Sequence, residues 1–232
     1  MTSIAPLLVV EDVTIAFGEL VVLRALTFHV DRGDSLAIIG PNGCGKTVLF
    51  KALVGSIPFQ GRIQWAPGVR IGYVPQKLDL ERDLPITGLD LLSAKRRVVE
   101  GDENLDVLVG RVGLEGEIRK PIGALSGGQF QRLLVALALV GKPNVLLLDE
   151  FTAGVDAPGQ ERLSELVRTL RAEHGMTVLS ISHDLSVVYR SATNVLCLSR
   201  DHPCIGPPRK ILTPELLAEV YGTPVEFHVH DA

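Results

Sequence analysis

Two short stretches hold residues whose types and spacing could act on a phosphate. Gly40-Pro41-Asn42-Gly43-Cys44-Gly45-Lys46-Thr47 has the spacing G-x-x-x-x-G-K-[ST]. Its glycines let the backbone curl so that successive N–H groups point at one anion, and a helix starting at its end adds the positive pole of its dipole. Lys46 then neutralises the outer phosphates, while Thr47 offers its hydroxyl to Mg2+, a hard cation that prefers oxygen and keeps waters. Val48 stands where a second hydroxyl is common, but only Thr47 has the coordinating role. The second stretch, Val145-Leu146-Leu147-Leu148-Asp149-Glu150, is an apolar run ending in two carboxylates. In an α/β sheet functional groups gather at the carboxyl ends of strands, so Asp149 is placed to orient Mg2+ and Glu150 to polarise an attacking water as general base. Alone, the first is a glycine-rich turn and the second a solvated strand end. Together in one chain they predict phosphoryl chemistry.

The elements around these stretches fit that use. Strand-like runs cover Leu7 to Phe17, Val21 to Val30 and, after the turn Asp31-Arg32-Gly33-Asp34, Ser35 to Ile39, so the glycine loop follows a buried strand. Val48, Leu49, Ala52 and Leu53 recur at helical spacing behind it, and Gly55 suits a helix C-cap. A short hairpin is predicted over Arg62 to Val74, with Ala66-Pro67-Gly68 as its turn. From Leu84 to Val140 the periodicity is helical; strands return at Val145 to Leu148, Thr177 to Ile181 and Asn194 to Leu198, with helices near Gly159 to Ala172 and Leu185 to Arg190 between them. That rhythm belongs to a parallel, crossover-connected sheet interrupted by a helical insertion. No repeat is visible, which predicts one catalytic unit per chain.

A phosphate loop alone leaves function open, since unrelated nucleotide-handling proteins share it. Leu125-Ser126-Gly127-Gly128-Gln129 narrows the choice. This string resembles the signature of the ATP-binding cassette (ABC) ATPases, and it lies one short helix ahead of the acid-ended strand, which has the Walker B form. Physically, Ser126 and the two glycines open a helix and so make a second anion-binding helix tip. The resemblance implies that Ser126, Gly127, Gly128 and Gln129 of one subunit close over ATP held by the phosphate loop of another, in a head-to-tail pair. It also implies Gln76, in Tyr73-Val74-Pro75-Gln76, as the glutamine that reaches Mg2+ and the attacking water. His183, in Ser180-Ile181-Ser182-His183-Asp184, corresponds to the histidine that contacts the γ-phosphate; a lone histidine there would be structural. Gly154-Val155-Asp156 resembles the loop that crosses the dimer interface. Phe17 takes the place of the aromatic that stacks on adenine, with plain core as its alternative. Phe151 departs from the usual proline after the glutamate but removes no chemical group.

The family implies an α/β fold: a P-loop NTPase (RecA-like) core with an N-terminal antiparallel β-subdomain and an inserted α-helical subdomain. The single domain of residues 1–232 would then divide into 1–76 with 141–222 as β-subdomain and core, 77–140 as helical subdomain and 223–232 as a tail. ATP-binding residues would be Phe17, Gly40, Asn42, Gly43, Cys44, Gly45, Lys46, Thr47 and Val48. Glu150, His183 and Gln76 would be catalytic, and Thr47, Gln76 and Asp149 would hold Mg2+.

Composition limits the setting. The chain has 232 residues and a net charge of −4, which offers no general attraction to nucleic acid. Its one basic cluster, Lys95-Arg96-Arg97, reads as a solvated helix face. The longest apolar run, Leu133 to Val140, falls far short of the roughly 18 residues of a spanning helix. No leader precedes Ile4, so the cytoplasm is expected. Cys44, Cys197 and Cys204 are odd in number without a C-x-x-C pattern, and are expected as reduced thiols. Ser182-His183-Asp184-Leu185, Val195-Leu196-Cys197-Leu198, Cys204-Ile205-Gly206-Pro207-Pro208 and the ending Tyr221-Gly222 through Glu226-Phe227-His228-Val229-His230 resemble ATPases of zinc, manganese or iron(II) importers. That resemblance implies polytopic permease subunits, an extracytoplasmic solute-binding protein and a place on the cytoplasmic face of the cell membrane. His228 and His230 could hold a metal ion, but two histidines do not close a site. The alternative is a soluble ABC ATPase of the cofactor-assembly type; a small-molecule phosphotransferase conflicts with the signature.

Overall fold

The computed structural model describes residues 5–76, 84–199 and 203–222. In chain order the elements are β1 (Leu8–Phe17), β2 (Leu20–Val30), β3 (Ser35–Ile39), α1 (Lys46–Leu53), β4 (Gln60–Trp65), β5 (Ile71–Val74), α2 (Gly88–Val98) and α3 (Leu105–Arg111). After a 3-10 turn at Ile122–Ala124 come α4 (Gly127–Leu139), β6 (Val145–Asp149), α5 (Ala157–His174), β7 (Thr177–Ile181), α6 (Leu185–Ser191), β8 (Asn194–Cys197), β9 (Cys204–Gly206), α7 (Pro208–Ile211) and α8 (Pro214–Tyr221). They fall into two compact units, Met1–Val69 with Thr177–Ala232, and Arg70–Met176.

The first unit holds two sheets. One is antiparallel, in the order β2-β1-β4. Along β1 the apolar side chains of Leu8, Val10, Val13 and Ile15 are fully buried, while Glu11 and Asp12 face solvent. In the other sheet β3 lies between β7 and β8 and runs parallel to both, with β9 antiparallel on β8. All five residues of β3 are buried, as expected for a strand covered on both faces. Its entry is pinned by hydroxyls: Gly33 N donates to Thr177 Oγ1 at 2.8 Å and Ser35 N to Thr193 Oγ1 at 2.9 Å. Behind β8, Ile39, Val188, Val195, Cys197, Leu217 and Val220 form a buried cluster. Helix α8 supplies Leu217 and Val220, after a start with Thr213 as its N-cap and Pro214 in its first turn.

The second unit pairs β5 with β6 in parallel. A Cβ on Gly72 in β5 would collide with the Ala138 carbonyl of α4, so only glycine permits that close packing. Helix α2 opens on a capping box between Thr87 and Asp90, α3 on Asn104 as N-cap and α4 on a capping box between Ser126 and Gln129. The unit is wider than the helical segment, for it includes β5, β6 and α5.

One sequence expectation is corrected. The hairpin over Arg62 to Val74 does not form, since β4 pairs antiparallel with β1 and β5 pairs parallel with β6. Two adjacent runs separated by Pro-Gly satisfy the local signature of a hairpin. Burial decides otherwise: β4 is a largely exposed strand, whereas Gly72 and Val74 of β5 are buried. Lys95, Arg96 and Arg97 occupy the last turn of α2, where the helix dipole favours cations. His228, His230 and the rest of the tail 223–232 lie outside the described residues, as do residues 77–83. Among the described residues no helix is long and apolar enough to cross a membrane.

Candidate active site

In the first unit the chain leaves β3 at Ile39 and enters the glycine loop. Gly40 has φ +145, and a Cβ there would collide with the Leu198 carbonyl. Gly45 has φ +104, and a Cβ there would sit 2.9 Å from both Val22 Cγ1 and Leu23 Cδ2. The loop is therefore folded tightly against β2. Gly45 is the N-cap of α1 without a side-chain cap, and the first turn has no acidic residue. The dipole of that helix start favours an anion. Lys46 is buried, and its Nζ donates to Gly40 O at 2.8 Å and Pro41 O at 3.0 Å. That holds the ammonium along the loop with a third proton to give. Thr47 and Val48 are half-buried behind it, while Asn42 and Gly43 are exposed. Burial pushes the Cys44 thiol up against the pull of the Lys46 ammonium, which keeps it a thiol.

Two further predicted residues belong to this unit. Phe17 ends β1 opposite Leu20 and is 50% exposed, so the core alternative for it is set aside; an exposed ring on the strand pair that Gly45 packs against suits a planar base. His183 is exposed after β7 in a turn fixed on both sides. Asp184 N donates to Ser182 Oγ at 3.1 Å, and Asp184 Oδ1 caps α6 by accepting from Ser186 N at 2.9 Å and Val187 N at 3.0 Å.

The second unit holds the carboxylates. Asp149 is fully buried at the end of β6, and Tyr73 Oη donates to its Oδ2 at 3.4 Å. Burial and the adjacent Asp149 charge push the Tyr73 hydroxyl far above its ordinary value, so it stays a donor. Gln76 Nε2 donates to Glu150 Oε2 at 2.6 Å, which brings together the two residues expected to handle the attacking water. Glu150 has φ +46, a left-handed conformation that a non-glycine residue adopts only under constraint.

The signature also lies in this unit. Ser126 is the N-cap of α4: its Oγ accepts from Gln129 N at 3.2 Å, and its own N donates to Gln129 Oε1 at 2.9 Å. Ser126 and Gln129 thus satisfy each other's backbone, and the amides of Gly127 and Gly128 stay at an exposed tip. A Cβ on Gly127 would lie 3.2 Å from Gly154 O, and one on Gly128 would lie 3.4 Å from Val155 Cγ1, so the predicted interface loop packs on the signature glycines. Asp156 is the exposed N-cap of α5. Gln160 Nε2 braces the same loop by donating to Val155 O at 2.8 Å.

Three residues escaped the sequence reading: Tyr73 on Asp149, Gln160 on the interface loop, and Tyr221, whose hydroxyl accepts from Gly40 N at 3.2 Å across 181 residues. Tyr73 lies beside the Gln76 string and offered a signal. Tyr221 offered none, because its partner is fixed only by folding.

The candidate Mg2+ ligands fit that ion in kind. Thr47, Gln76 and Asp149 offer hydroxyl, amide and carboxylate oxygens, the hard donors it prefers. Among the described residues no cluster of three or more His, Cys, Asp or Glu forms.

A buried strand feeding a phosphate loop, and a second strand ending in Asp149 and Glu150, define a P-loop NTPase. Residues 23–153 match the family described as ABC transporter, and the chain belongs to that family as an ATP-binding, ATP-hydrolysing member. The zinc import ATP-binding protein ZnuC of Paracoccus denitrificans is 40% identical over 220 residues, which cover 94% of this chain and 86% of that protein. ZnuC of Jannaschia sp. is 39% identical over 218 residues, covering 94% and 89%. An ABC transporter described as of the metal-chelate type, solved in an inward-facing conformation, matches with a TM-score of 0.85 at 27% identity, covering 95% of this chain and 90% of its own.

Proposed function

We propose that this chain drives import of a divalent metal ion, zinc before manganese or iron(II), at the cytoplasmic face of the membrane. It would act on polytopic permease subunits supplied by an extracytoplasmic solute-binding protein. The observation that carries this reading is the likeness to zinc import ATP-binding proteins over 94% of the chain. No described helix is long and apolar enough to span a bilayer, and the coupling reading places the path of the ion in the permease subunits.

In the proposed cycle ATP lies on the loop Gly40 to Val48 with its base on Phe17, and Lys46 neutralises the β- and γ-phosphates. Thr47, Asp149 and Gln76 would hold Mg2+, which would supply charge neutralisation and orientation of the phosphate oxygens. Glu150 accepts a proton from the attacking water, and Gln76 fixes that carboxylate by the 2.6 Å hydrogen bond. His183 contacts the γ-phosphate. Ser126, Gly127, Gly128 and Gln129 of a second copy cover the same ATP, with Asp156 at the interface. Closure and reopening then form a ligand-driven shift between two states, which the helical segment 77–140 transmits.

Glu150→Gln tests the chemistry: ATP binding is kept and turnover falls by about 100-fold or more, the usual contribution of a general base. Full turnover in that variant would falsify the role. For the cargo, deleting the gene should lower zinc uptake; unchanged uptake of zinc, manganese and iron(II) removes the metal reading. Isolation with a polytopic membrane protein supports the transporter, and stable isolation with a soluble scaffold supports the cofactor-assembly alternative.

A further inference from the structure

We propose that Cys197 and Cys204 form a cross-strand dithiol that a hydroperoxide converts to an intrachain disulfide beside the phosphate loop. The two residues face each other directly in the antiparallel β8/β9 register. Opposed residues put their side chains on one face, with Cα atoms about 4.5 to 5.5 Å apart. That lies inside the roughly 4.4 to 6.8 Å a disulfide requires. A covalent S–S bond, however, holds its sulfurs at about 2.05 Å, closer than two unbonded thiols on facing strands approach.

Their environments divide the work. Cys204 is half-buried and can meet a small oxidant, whereas Cys197 is fully buried against Ile39, Leu217 and Val220. Burial and the neighbouring Cys204 hold the Cys197 thiol far above its ordinary value, which leaves Cys204 as the attacking group. The Cys204 thiolate attacks the terminal peroxide oxygen; an S–O bond forms, the O–O bond breaks, and the alkoxide leaves as the alcohol after taking a proton. The Cys197 sulfur then attacks the Cys204 sulfenic acid. The S–S bond forms, the S–O bond breaks, and the departing hydroxide takes the Cys197 proton as water. Two thiols lose two electrons in all, and the peroxide is reduced to alcohol and water.

The position ties this chemistry to the nucleotide. Leu198, next to Cys197, donates its N–H to Ile39 O at 2.8 Å, and its carbonyl occupies the space a Cβ on Gly40 would need. Tyr221 packs on the Cys197 cluster and accepts the Gly40 N–H at 3.2 Å. Drawing the two sulfurs to bonding distance displaces the groups that hold the first residue of the loop, and ATP affinity falls.

The test treats the reduced full chain with hydrogen peroxide or cumene hydroperoxide, then alkylates it under denaturing conditions, maps its peptides and measures binding of a fluorescent ATP analogue. Expected are loss of two of its three thiols, a peptide joining Cys197 to Cys204, and a several-fold loss of ATP affinity, all reversed by dithiothreitol. In Cys204→Ser, or Cys204→Ala should the serine misfold, Cys197 stays a thiol and affinity is unchanged by oxidant. Sulfinic acid at Cys204 with Cys197 intact, a link to Cys44 or a link between chains overturns the site. A Cys197–Cys204 disulfide without change in ATP affinity overturns its coupling to the loop.

Discussion

Glu150 combines a catalytic carboxylate with a backbone at φ +46. For a non-glycine residue that conformation costs on the order of 1–3 kcal/mol, and it persists only where the surroundings impose it. Here Ala153 N donates to Glu150 O at 2.9 Å while Gln76 holds the side chain. Glu150→Gly should therefore raise the unfolding free energy by about 1 kcal/mol while hydrolysis falls by about 100-fold or more. Thermal unfolding and phosphate release measure the two effects; a less stable Glu150→Gly chain would show that the strain reading is wrong. Gly40 is the opposite case. With φ +145 and the Leu198 carbonyl where a Cβ would go, Gly40→Ala should lose about 2 kcal/mol or more, an unfolding temperature lower by roughly 4 °C or more at this chain length. ATP affinity should fall with it, and an unchanged melting curve would sink the argument.

At the scale of elements, α2 and α4 start with the same device and differ in what else the start does. Thr87 with Asp90, and Ser126 with Gln129, close reciprocal capping boxes. Hydrogen bonds from Thr87 hold the exposed Asp90 carboxyl below its ordinary range. The cap is thus at full strength above that range and weakens as pH falls toward the lowered value. Removing either cap costs about 1 kcal/mol. Thr87→Ala should lower stability by that amount and leave ATP turnover per folded molecule unchanged. Ser126→Ala should lower stability equally and turnover as well, since its hydroxyl lies at the proposed phosphate contact. Equal turnover losses in the two variants would mean that Ser126 only starts a helix. The ease of reading each element follows the range of its contacts. Strands β3 and β7 were legible residue for residue, because their apolar runs must be buried wherever the chain goes. The helix start at Ser126 and the turn before β3 were legible too, being settled within three residues. The hairpin at Arg62 to Val74 was misread and β9 was missed, because what pairs with them is decided by partners elsewhere in the chain. Tyr221 on Gly40 spans 181 residues, beyond any local pattern.

For the whole molecule, the exposed tip of α4 leads to a prediction about association. Its first turn carries no acidic residue, its serine caps through Gln129, and the Gly127 and Gly128 amides stay available. Each chain thus offers one anion-binding helix start at Lys46 and a second at Ser126, and each chain bears a net charge of −4. Two copies have no long-range electrostatic reason to associate, and bound ATP adds further negative charge. On the proposed reading each triphosphate in a head-to-tail pair is held by both kinds of helix start at once, and association follows ATP. Glu150→Gln with MgATP should sediment as a dimer and revert to monomer when nucleotide is removed. Adding Ser126→Arg to Glu150→Gln fills the tip with a side chain and should abolish the dimer, while ATP still binds the Gly40 to Val48 loop of the single chain. Sedimentation velocity with a fluorescent nucleotide reads both quantities together. If Glu150→Gln saturated with ATP remains a monomer, or if the double variant dimerises equally well, Ser126 is not a nucleotide contact and the pair must be held some other way.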